Sequence, residues 1–212
     1  MMMLTSDQQK KVCICSRYMI YFILTVGFAY LIRYITSVYQ EKTFVEFGII
    51  ENMQVGLLIL SVLSFLIQSF FSKEHRSLLL FLTSLCCFAS IRELDSYFEN
   101  IMPLVSWKFC YLFPLSSILY LIYDRMRAKK SLFSFIGTPA FSMMSMAMFI
   151  FIAIAQIVGN KAFIAYAIPE LEYVALVRRF IEEGTEVIAY FLLFLSTIEF
   201  YISMKSQDNS DV

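Results

Sequence analysis

Six long apolar stretches, separated by short polar connections, constrain the fold of this chain more than any other feature of its sequence. Their lengths are close to the roughly 20 residues that an apolar helix needs to cross a bilayer. The stretches run over residues 18–39, 49–71, 77–97, 104–123, 141–158 and 176–202. Because a backbone inside hydrocarbon must satisfy its own amide groups, each stretch is predicted to be helical. The sequence therefore predicts an all-α integral membrane protein, a polytopic bundle of six transmembrane helices.

Composition supports a single membrane domain. Hydrophobic residues make up 59% of the chain, whereas soluble domains contain about 45–50% apolar residues by a broader count. Six Gly and four Pro leave little sequence for linkers, so residues 1–212 are expected to form one transmembrane domain. The formal net charge is +0, and no basic stripe with interleaved aromatic residues favours a nucleic-acid partner. Membrane lipid is the expected surrounding and partner.

The Lys and Arg residues predict the orientation of the bundle. Ten of the 17 lie on the side of the membrane that carries both termini. They are Lys10, Lys11, Arg17, Lys73, Arg76, Arg125, Arg127, Lys129, Lys130 and Lys205. By the positive-inside rule this side is cytoplasmic, so both termini are predicted to be cytoplasmic. We interpret the chain as a plasma-membrane protein of the bacterial inner membrane.

Acidic residues from three of the stretches converge on the opposite side. They are Glu51, Glu93, Asp95, Glu182, Glu183 and Glu186. At a rise of about 1.5 Å per residue, Glu93 and Glu186 lie about 26 Å and 28 Å from the cytoplasmic basic residues, at the edge of a core about 30 Å thick. Glu93 is costly to place because it ends its helix, where the helix dipole disfavours an anion. It is expected to pair with Arg92, Arg33 or Lys108.

The residue types at this end suggest three kinds of chemistry. Glu93, Glu183 and Glu186 are candidate catalytic residues, since a carboxylate can act as general acid or base. A candidate metal site consists of Glu51, Glu93, Glu183 and Glu186, because Mg²⁺, Mn²⁺ and Ca²⁺ prefer oxygen ligands. Basic side chains would hold an anionic small molecule or an anionic lipid headgroup through its phosphate. The candidate substrate-binding residues are Arg33, Arg92, Lys108, Arg178 and Arg179.

The second and last stretches share a short sequence pattern. The second begins with Glu51-x-x-Gln54-Val55, and the last contains Glu183-x-x-Glu186-Val187. Both stretches enter the membrane from the acidic side. The pattern indicates a faint internal similarity between two helices that run in the same direction.

The single histidine excludes several enzyme classes. His75 lies in a basic loop on the cytoplasmic side, where it is predicted to be a surface residue. Zinc sites built from histidine and a Ser-His-Asp triad are therefore not available at the acidic side, and no zinc or haem site is expected.

Three functions fit this pattern. The leading one is a polar pocket at the extracytoplasmic leaflet that binds or modifies a lipid or an anionic headgroup, and whether the protein is an enzyme stays open. A transporter or channel is the first alternative, with Gln68, Gln156 and Glu199 as polar residues in the inner halves of the spans. The second alternative is a non-enzymatic assembly, partner or immunity protein, in which the charges only hold the fold.

Overall fold

The computed structural model describes residues 5–39, 43–44, 48–95, 107–167 and 174–208. The regular elements in these ranges are helices, and none of the described residues forms a strand, which confirms the predicted all-α class. Within these described ranges, four segments are long and apolar enough to cross a membrane by length and composition. They are Lys11–Tyr39, Ile49–Phe71, Pro139–Val158 and Val177–Ser206. These four segments are compatible with a multi-pass membrane protein.

The helices follow the predicted stretches along most of the chain. In chain order they are α1 (Ser6–Tyr39), α2 (Ile49–Phe71), α3 (Arg76–Glu93), α4 (Leu112–Tyr123), α5 (Arg125–Ile136), α6 (Pro139–Phe149), α7 (Lys161–Ala167) and α8 (Val174–Asp208). A 3₁₀ helix (Trp107–Tyr111) precedes α4, and a π-helix (Ile150–Val158) continues α6. The end of the predicted third stretch and the start of the fourth lie outside the described residues.

The centre of the bundle is the contact of α2 with α8. The buried residues of α2 recur every three or four positions, which keeps one face of the helix against its neighbours. They are Ile50, Gln54, Leu58, Ser61, Phe65, Gln68 and Ser69. α2 also packs along α3, while α8 packs along α6 and the π-helix. Gln68 Nε2 donates to the Thr197 carbonyl at 2.9 Å, so part of this contact is held by a hydrogen bond between helices.

The two ends of the bundle differ in charge. At one end, which we call the acidic end, α2 begins, α3 ends and α8 enters the bundle. It carries Glu51, Glu93, Glu182, Glu183 and Glu186. The opposite end, which we call the basic end, carries the turn between α2 and α3 and the helix α5.

α5 forms where the sequence suggested only a basic loop. Ser131 and Phe135 bury one side of this helix, and its basic residues lie on the exposed surface. Lys130 Nζ lies 2.6 Å from Glu74 Oε1 in the α2–α3 turn, and this hydrogen bond lowers the pKa of the Glu74 carboxyl. The prediction that His75 is a surface residue is wrong. α5 covers the imidazole, which is 7% exposed and lies 2.8 Å from Ser131 Oγ.

α1 lies at the edge of the bundle and contacts mainly α8. Near the basic end, Glu199 Oε2 accepts from Arg17 Nε at 3.0 Å and from Tyr21 Oη at 2.7 Å. Glu199 Oε1 also accepts from Arg17 Nη2 at 2.9 Å. Towards the middle of the helix, the rings of Phe28 and Phe191 stack with centroids 4.2 Å apart. A partly buried ion pair and an aromatic stack therefore help to attach α1 to the bundle.

Candidate functional site

Glu93 lies between a guanidinium and a phenol at the acidic end. Its Oε1 is 2.9 Å from Arg92 Nη2 and accepts a hydrogen bond from Tyr190 Oη at 2.7 Å. Arg92 is therefore the partner that the depth of Glu93 required. The guanidinium also lies over the ring of Phe151, 5.2 Å from its centroid, in a cation–π contact. Side chains from α3, α8 and the π-helix thus meet around one carboxylate.

Glu186 is the most buried of the described carboxylates at this end, with 5% of the residue exposed. Its Oε1 accepts from Gln156 Nε2 at 2.6 Å, and its Oε2 accepts from Gln54 Nε2 at 3.4 Å. Arg92 Nη2 lies 3.9 Å from the same Oε1, so one guanidinium faces both Glu93 and Glu186. A carboxylate removed from water needs such donors, because an unpaired buried charge is strongly destabilising. Gln54 and Glu186, which occupy equivalent positions of the repeated pattern, are direct neighbours.

The π-helix positions Gln156 for this contact. A π-helix inside an α-helix changes which residues face a neighbour, and such segments are frequent at functional sites. Gly159 ends the π-helix where it meets α8. A Cβ at this glycine would press on the Ala155 carbonyl and lie 3.2 Å from Glu182 Cβ. Glycine therefore allows the close approach that brings Gln156 to Glu186.

A cavity of about 330 Å³ lies beside this cluster. Fifteen of the described residues line it, and most of them are aliphatic or aromatic. They are Leu58, Phe65, Leu82, Leu85, Cys86, Phe88, Ala89, Arg92, Met144, Ala147, Met148, Phe151, Ala189, Tyr190 and Leu193. Arg92 is the single charged residue among them. The cavity is therefore apolar along its length and ends on the Arg92–Glu93 pair.

The helix arrangement explains why this cavity exists. α2 and α8 pack against each other and form its floor, while α3 and the α6–π segment form its two walls. Towards the basic end, Phe135 and Ala140 pack with Leu79 in the apolar core. The cavity extends from the middle of the bundle towards the acidic end. From Leu82 to Arg92 it follows α3 over ten residues, or about 15 Å of helix rise.

The structure brings only some of the predicted site residues into direct contact. Arg92, Glu93 and Glu186 meet directly, whereas Arg178 Nε pairs with Glu182 Oε2 at 2.8 Å on the surface of α8. The other five predicted residues are Arg33, Glu51, Lys108, Arg179 and Glu183. Arg33 and Arg179 are exposed, and the side chain of Lys108 lies outside the described residues. Glu183 interacts electrostatically with Arg179, Glu51, Glu182 and Glu93, so the predicted acidic residues do lie near one another.

The carboxylates do not form a ready metal site. Among the described residues, no group of three or more His, Cys, Asp or Glu side chains could hold a metal ion. Glu93 and Glu186 instead accept hydrogen bonds from protein donors. A Mg²⁺, Mn²⁺ or Ca²⁺ site at Glu51, Glu93, Glu183 and Glu186 therefore stays a prediction that this arrangement does not support.

Several residues of the cluster were missed or misplaced by sequence reasoning. The sequence places Gln156 among the few polar residues in the inner halves of the spans, but it lies at the acidic end and contacts Glu186. Tyr190 was not singled out, although its spacing of four residues from Glu186 places both on one face of α8. Nothing in the sequence distinguishes Phe151 as a site residue, because an aromatic residue in an apolar helix is ordinarily a packing residue.

Comparison with family models, with curated proteins and with solved structures finds no match.

Proposed function

We propose that this protein binds a membrane lipid at the acidic end, with one chain in the apolar cavity and the headgroup at Arg92. The main support is that the apolar cavity and the charged cluster are continuous, since Arg92 both lines the cavity and pairs with Glu93. Ligand pockets typically enclose about 300–1,000 Å³ and combine apolar walls with a few polar groups. A cavity of about 330 Å³ is at the lower end of that range and suits one chain rather than a whole lipid.

The depth of the cavity supports the same assignment. A hydrocarbon core is about 30 Å thick, so one leaflet contributes about 15 Å. The rise along α3 from Leu82 to Arg92 is also about 15 Å. A chain with its headgroup at Arg92 would therefore extend to the middle of the bilayer, as it does in its own leaflet.

Arg92 has donors to offer a phosphate. In the described structure its contacts with Glu93 and Glu186 both use Nη2. The guanidinium has five N–H donors in a planar fork that matches phosphate oxygens. The donors on Nε and Nη1 make no hydrogen bond to the described residues. They can therefore bind a headgroup phosphate while Nη2 keeps its two carboxylates.

The contacts favour binding over catalysis. Glu93 and Glu186 are each engaged by short hydrogen bonds from Tyr190 and Gln156. A general acid or base must exchange its proton with a substrate, and these protein donors already engage Oε1 of each carboxylate. We therefore propose a lipid-binding protein in which the carboxylates hold Arg92 in place, and lipid modification by Glu93, Glu183 or Glu186 is the less favoured form of the proposal.

The orientation belongs to the same proposal. We propose six spans in the bacterial inner membrane, both termini in the cytoplasm, and the acidic end at the extracytoplasmic leaflet. The basic residues on the side of the termini support it. Cys13 and Cys15 are exposed near the start of α1 and provide a direct test. A membrane-impermeant maleimide should label them only after the cells are permeabilised, and labelling in intact cells would reverse the orientation.

The test of lipid binding compares two substitutions with matched controls. Ala89→Phe fills the cavity, whereas Ala29→Phe adds the same bulk on α1, away from the cavity. Arg92→Gln removes the guanidinium, whereas Arg127→Gln removes one at the basic end. Native mass spectrometry from maltoside micelles should show one phospholipid per chain, with apparent affinity about tenfold lower in Ala89→Phe and Arg92→Gln, which is about 1.4 kcal/mol. Unchanged affinity in both variants would overturn the proposal.

The transporter and partner alternatives make different demands on the structure. A transporter needs a polar path to the basic end, but Gln156 lies at the acidic end and Glu199 is held by Arg17 and Tyr21. A purely structural role predicts that charge-reversed pairs restore stability and that no lipid is retained. Neither alternative explains an apolar cavity that ends on a guanidinium.

A further inference from the structure

α5 lies across the basic end of the bundle. Ser84 Oγ and Ser117 Oγ lie 2.7 Å apart, and the rings of Phe88 and Tyr111 are in contact, so α3 and α4 run in opposite directions. α4 therefore ends at the basic end, where α3 begins. α6 also begins there, because it continues into the π-helix at the acidic end. Since α5 joins these two helix ends, its 12 residues run across the end of the bundle rather than through it.

Four basic residues lie within six positions of α5. They are Arg125, Arg127, Lys129 and Lys130. Lys130 Nζ lies 2.6 Å from Glu74 Oε1, and Arg127 Nε lies 3.9 Å from Asp124 Oδ1. The other two basic residues are exposed and form no ion pair with the residues that the structure describes. Two cationic groups of α5 are therefore open to the surroundings of the bundle.

Arg125 and Lys129, the two residues that carry these groups, share one face of α5 with apolar side chains. Residues 125, 129, 133 and 136 follow each other at spacings of four, four and three, which aligns them along the helix. Phe133 and Ile136 are exposed on this face, and 64% of Phe133 is exposed. Apolar side chains of this size are unfavourable in water and favourable in hydrocarbon. Basic and apolar groups together on one exposed helix surface are typical of a helix that lies at a membrane interface.

The neighbours of α5 place this face at the rim of the bundle. The two helices that α5 joins both expose apolar side chains, among them Leu119 and Ile122 on α4 and Met146 on α6. In a membrane these side chains contact acyl chains, so a helix that crosses between the ends of α4 and α6 lies at the level of the headgroups. The α2–α3 turn beside α5 adds the exposed Lys73 and Arg76. Basic residues clustered next to the end of a spanning helix attract anionic lipids.

We propose that α5 binds anionic phospholipid headgroups in the leaflet at the basic end, with Arg125 and Lys129 on the phosphates and the Phe133 ring among the acyl chains. This surface is separate from the cavity and does not depend on lipid binding there. An acidic protein would satisfy the two cations but would not require exposed apolar side chains beside them, so the combination favours a lipid. Because these contacts are exposed and screened by salt, the bound lipid exchanges with the bilayer, and vesicles rather than micelles are the medium in which to measure it.

A tryptophan at position 133 reports which lipids surround α5. Trp107→Phe removes the single natural tryptophan, and Phe133→Trp places one on the proposed surface. The protein is reconstituted into vesicles of phosphatidylglycerol and phosphatidylcholine, in which one of the two lipids carries brominated chains that quench the tryptophan on contact. Phosphatidylglycerol should bind at this position at least about fivefold more tightly, the factor that one basic residue near an anionic headgroup contributes. With Arg125→Gln and Lys129→Gln added, the ratio should fall below about twofold. Arg125→Lys with Lys129→Arg keeps both charges and should keep the ratio.

Three results would overturn this inference. Equal quenching by the two lipids, with all basic residues of α5 in place, would show that the surface does not select anionic headgroups, as expected if it receives an acidic protein instead. A tryptophan that neither brominated lipid quenches would place α5 outside the membrane interface. A ratio that stays at about fivefold after both charges are removed from folded protein would overturn the role of Arg125 and Lys129. The first two results come from the chain with its native charges, so they decide the proposal even where removal of the charges prevents folding.

Discussion

Replacing Arg17 by glutamine should destabilise the bundle more than replacing its partner Glu199 in the same way. The guanidinium and the carboxylate share two short contacts, of 2.9 Å and 3.0 Å, and Tyr21 adds a third to Glu199 at 2.7 Å. The two side chains differ in exposure, because Arg17 is 25% exposed and Glu199 is 1% exposed. The carboxylate therefore depends on its partner far more than the guanidinium does.

This asymmetry sets the expected magnitudes. Arg17→Gln leaves a buried carboxylate without its counter-charge, which costs about 3–5 kcal/mol of the free energy of unfolding. Glu199→Gln leaves a guanidinium that can extend to the aqueous surface, so the loss should be about 1–2 kcal/mol, close to that of a hydrogen bond. The double variant should be more stable than Arg17→Gln alone, with an interaction energy of about 0.5–3 kcal/mol.

The assay is a titration with dodecyl sulfate in maltoside micelles, followed by far-UV circular dichroism. Arg127→Gln is the control, since that side chain is 69% exposed and its contact with Asp124 is 3.9 Å long. The control should change the free energy of unfolding by less than about 0.5 kcal/mol. Equal losses for Arg17→Gln and Glu199→Gln, or a larger loss for Glu199→Gln, would refute the reasoning from burial.

Substitutions at three further positions test two contacts at the candidate site and one helix cap with the same titration. Tyr190→Phe removes the 2.7 Å hydrogen bond to Glu93 and should cost about 1–3 kcal/mol, so a loss below about 0.3 kcal/mol would contradict that contact. Gly159→Ala forces a Cβ against the backbone of the π-helix and to 3.2 Å from Glu182 Cβ, so we expect a loss of about 1–3 kcal/mol. A neutral result would show that the π-helix adjusts freely. Thr138→Ala removes the side chain that caps α6 and should cost about 1 kcal/mol, whereas Thr138→Ser should cost less.

Much of the helical architecture was accessible from the sequence. A long apolar segment in hydrocarbon forms a helix almost independently of the helices around it. The range of α2, residues 49–71, therefore agrees with the prediction. Counting depth along each helix also selected Glu93 and Glu186, the two carboxylates that the structure places in contact with Arg92. The rise per residue gives the depth of a side chain in the membrane. Because burying an unpaired charge is costly, a carboxylate at that depth needs a partner at the same depth.

Rotation about each helix axis could not be predicted in the same way. Gln156 lies in a π-helix, and an α-helical reading of the sequence does not give the direction in which it points. The cavity depends on the distance between its two walls, α3 and the α6–π segment. This distance cannot be predicted from the sequence of either helix alone. The fold of α5 was missed because its basic residues resemble a loop, whereas burial of Ser131 and Phe135 on one side makes it a helix at the bundle surface.

A photoreactive lipid would show directly whether a lipid chain occupies the cavity. A phospholipid with a diazirine near the middle of one chain is incorporated into liposomes with the wild-type protein and irradiated, and the labelled peptides are then identified by mass spectrometry. We expect the label to concentrate on the cavity residues of α3 and α6, between Leu82 and Ala89 and between Met144 and Met148. We also expect Ala89→Phe to remove this label. Label spread over the exposed faces of α1 and α4, unchanged by Ala89→Phe, would contradict it.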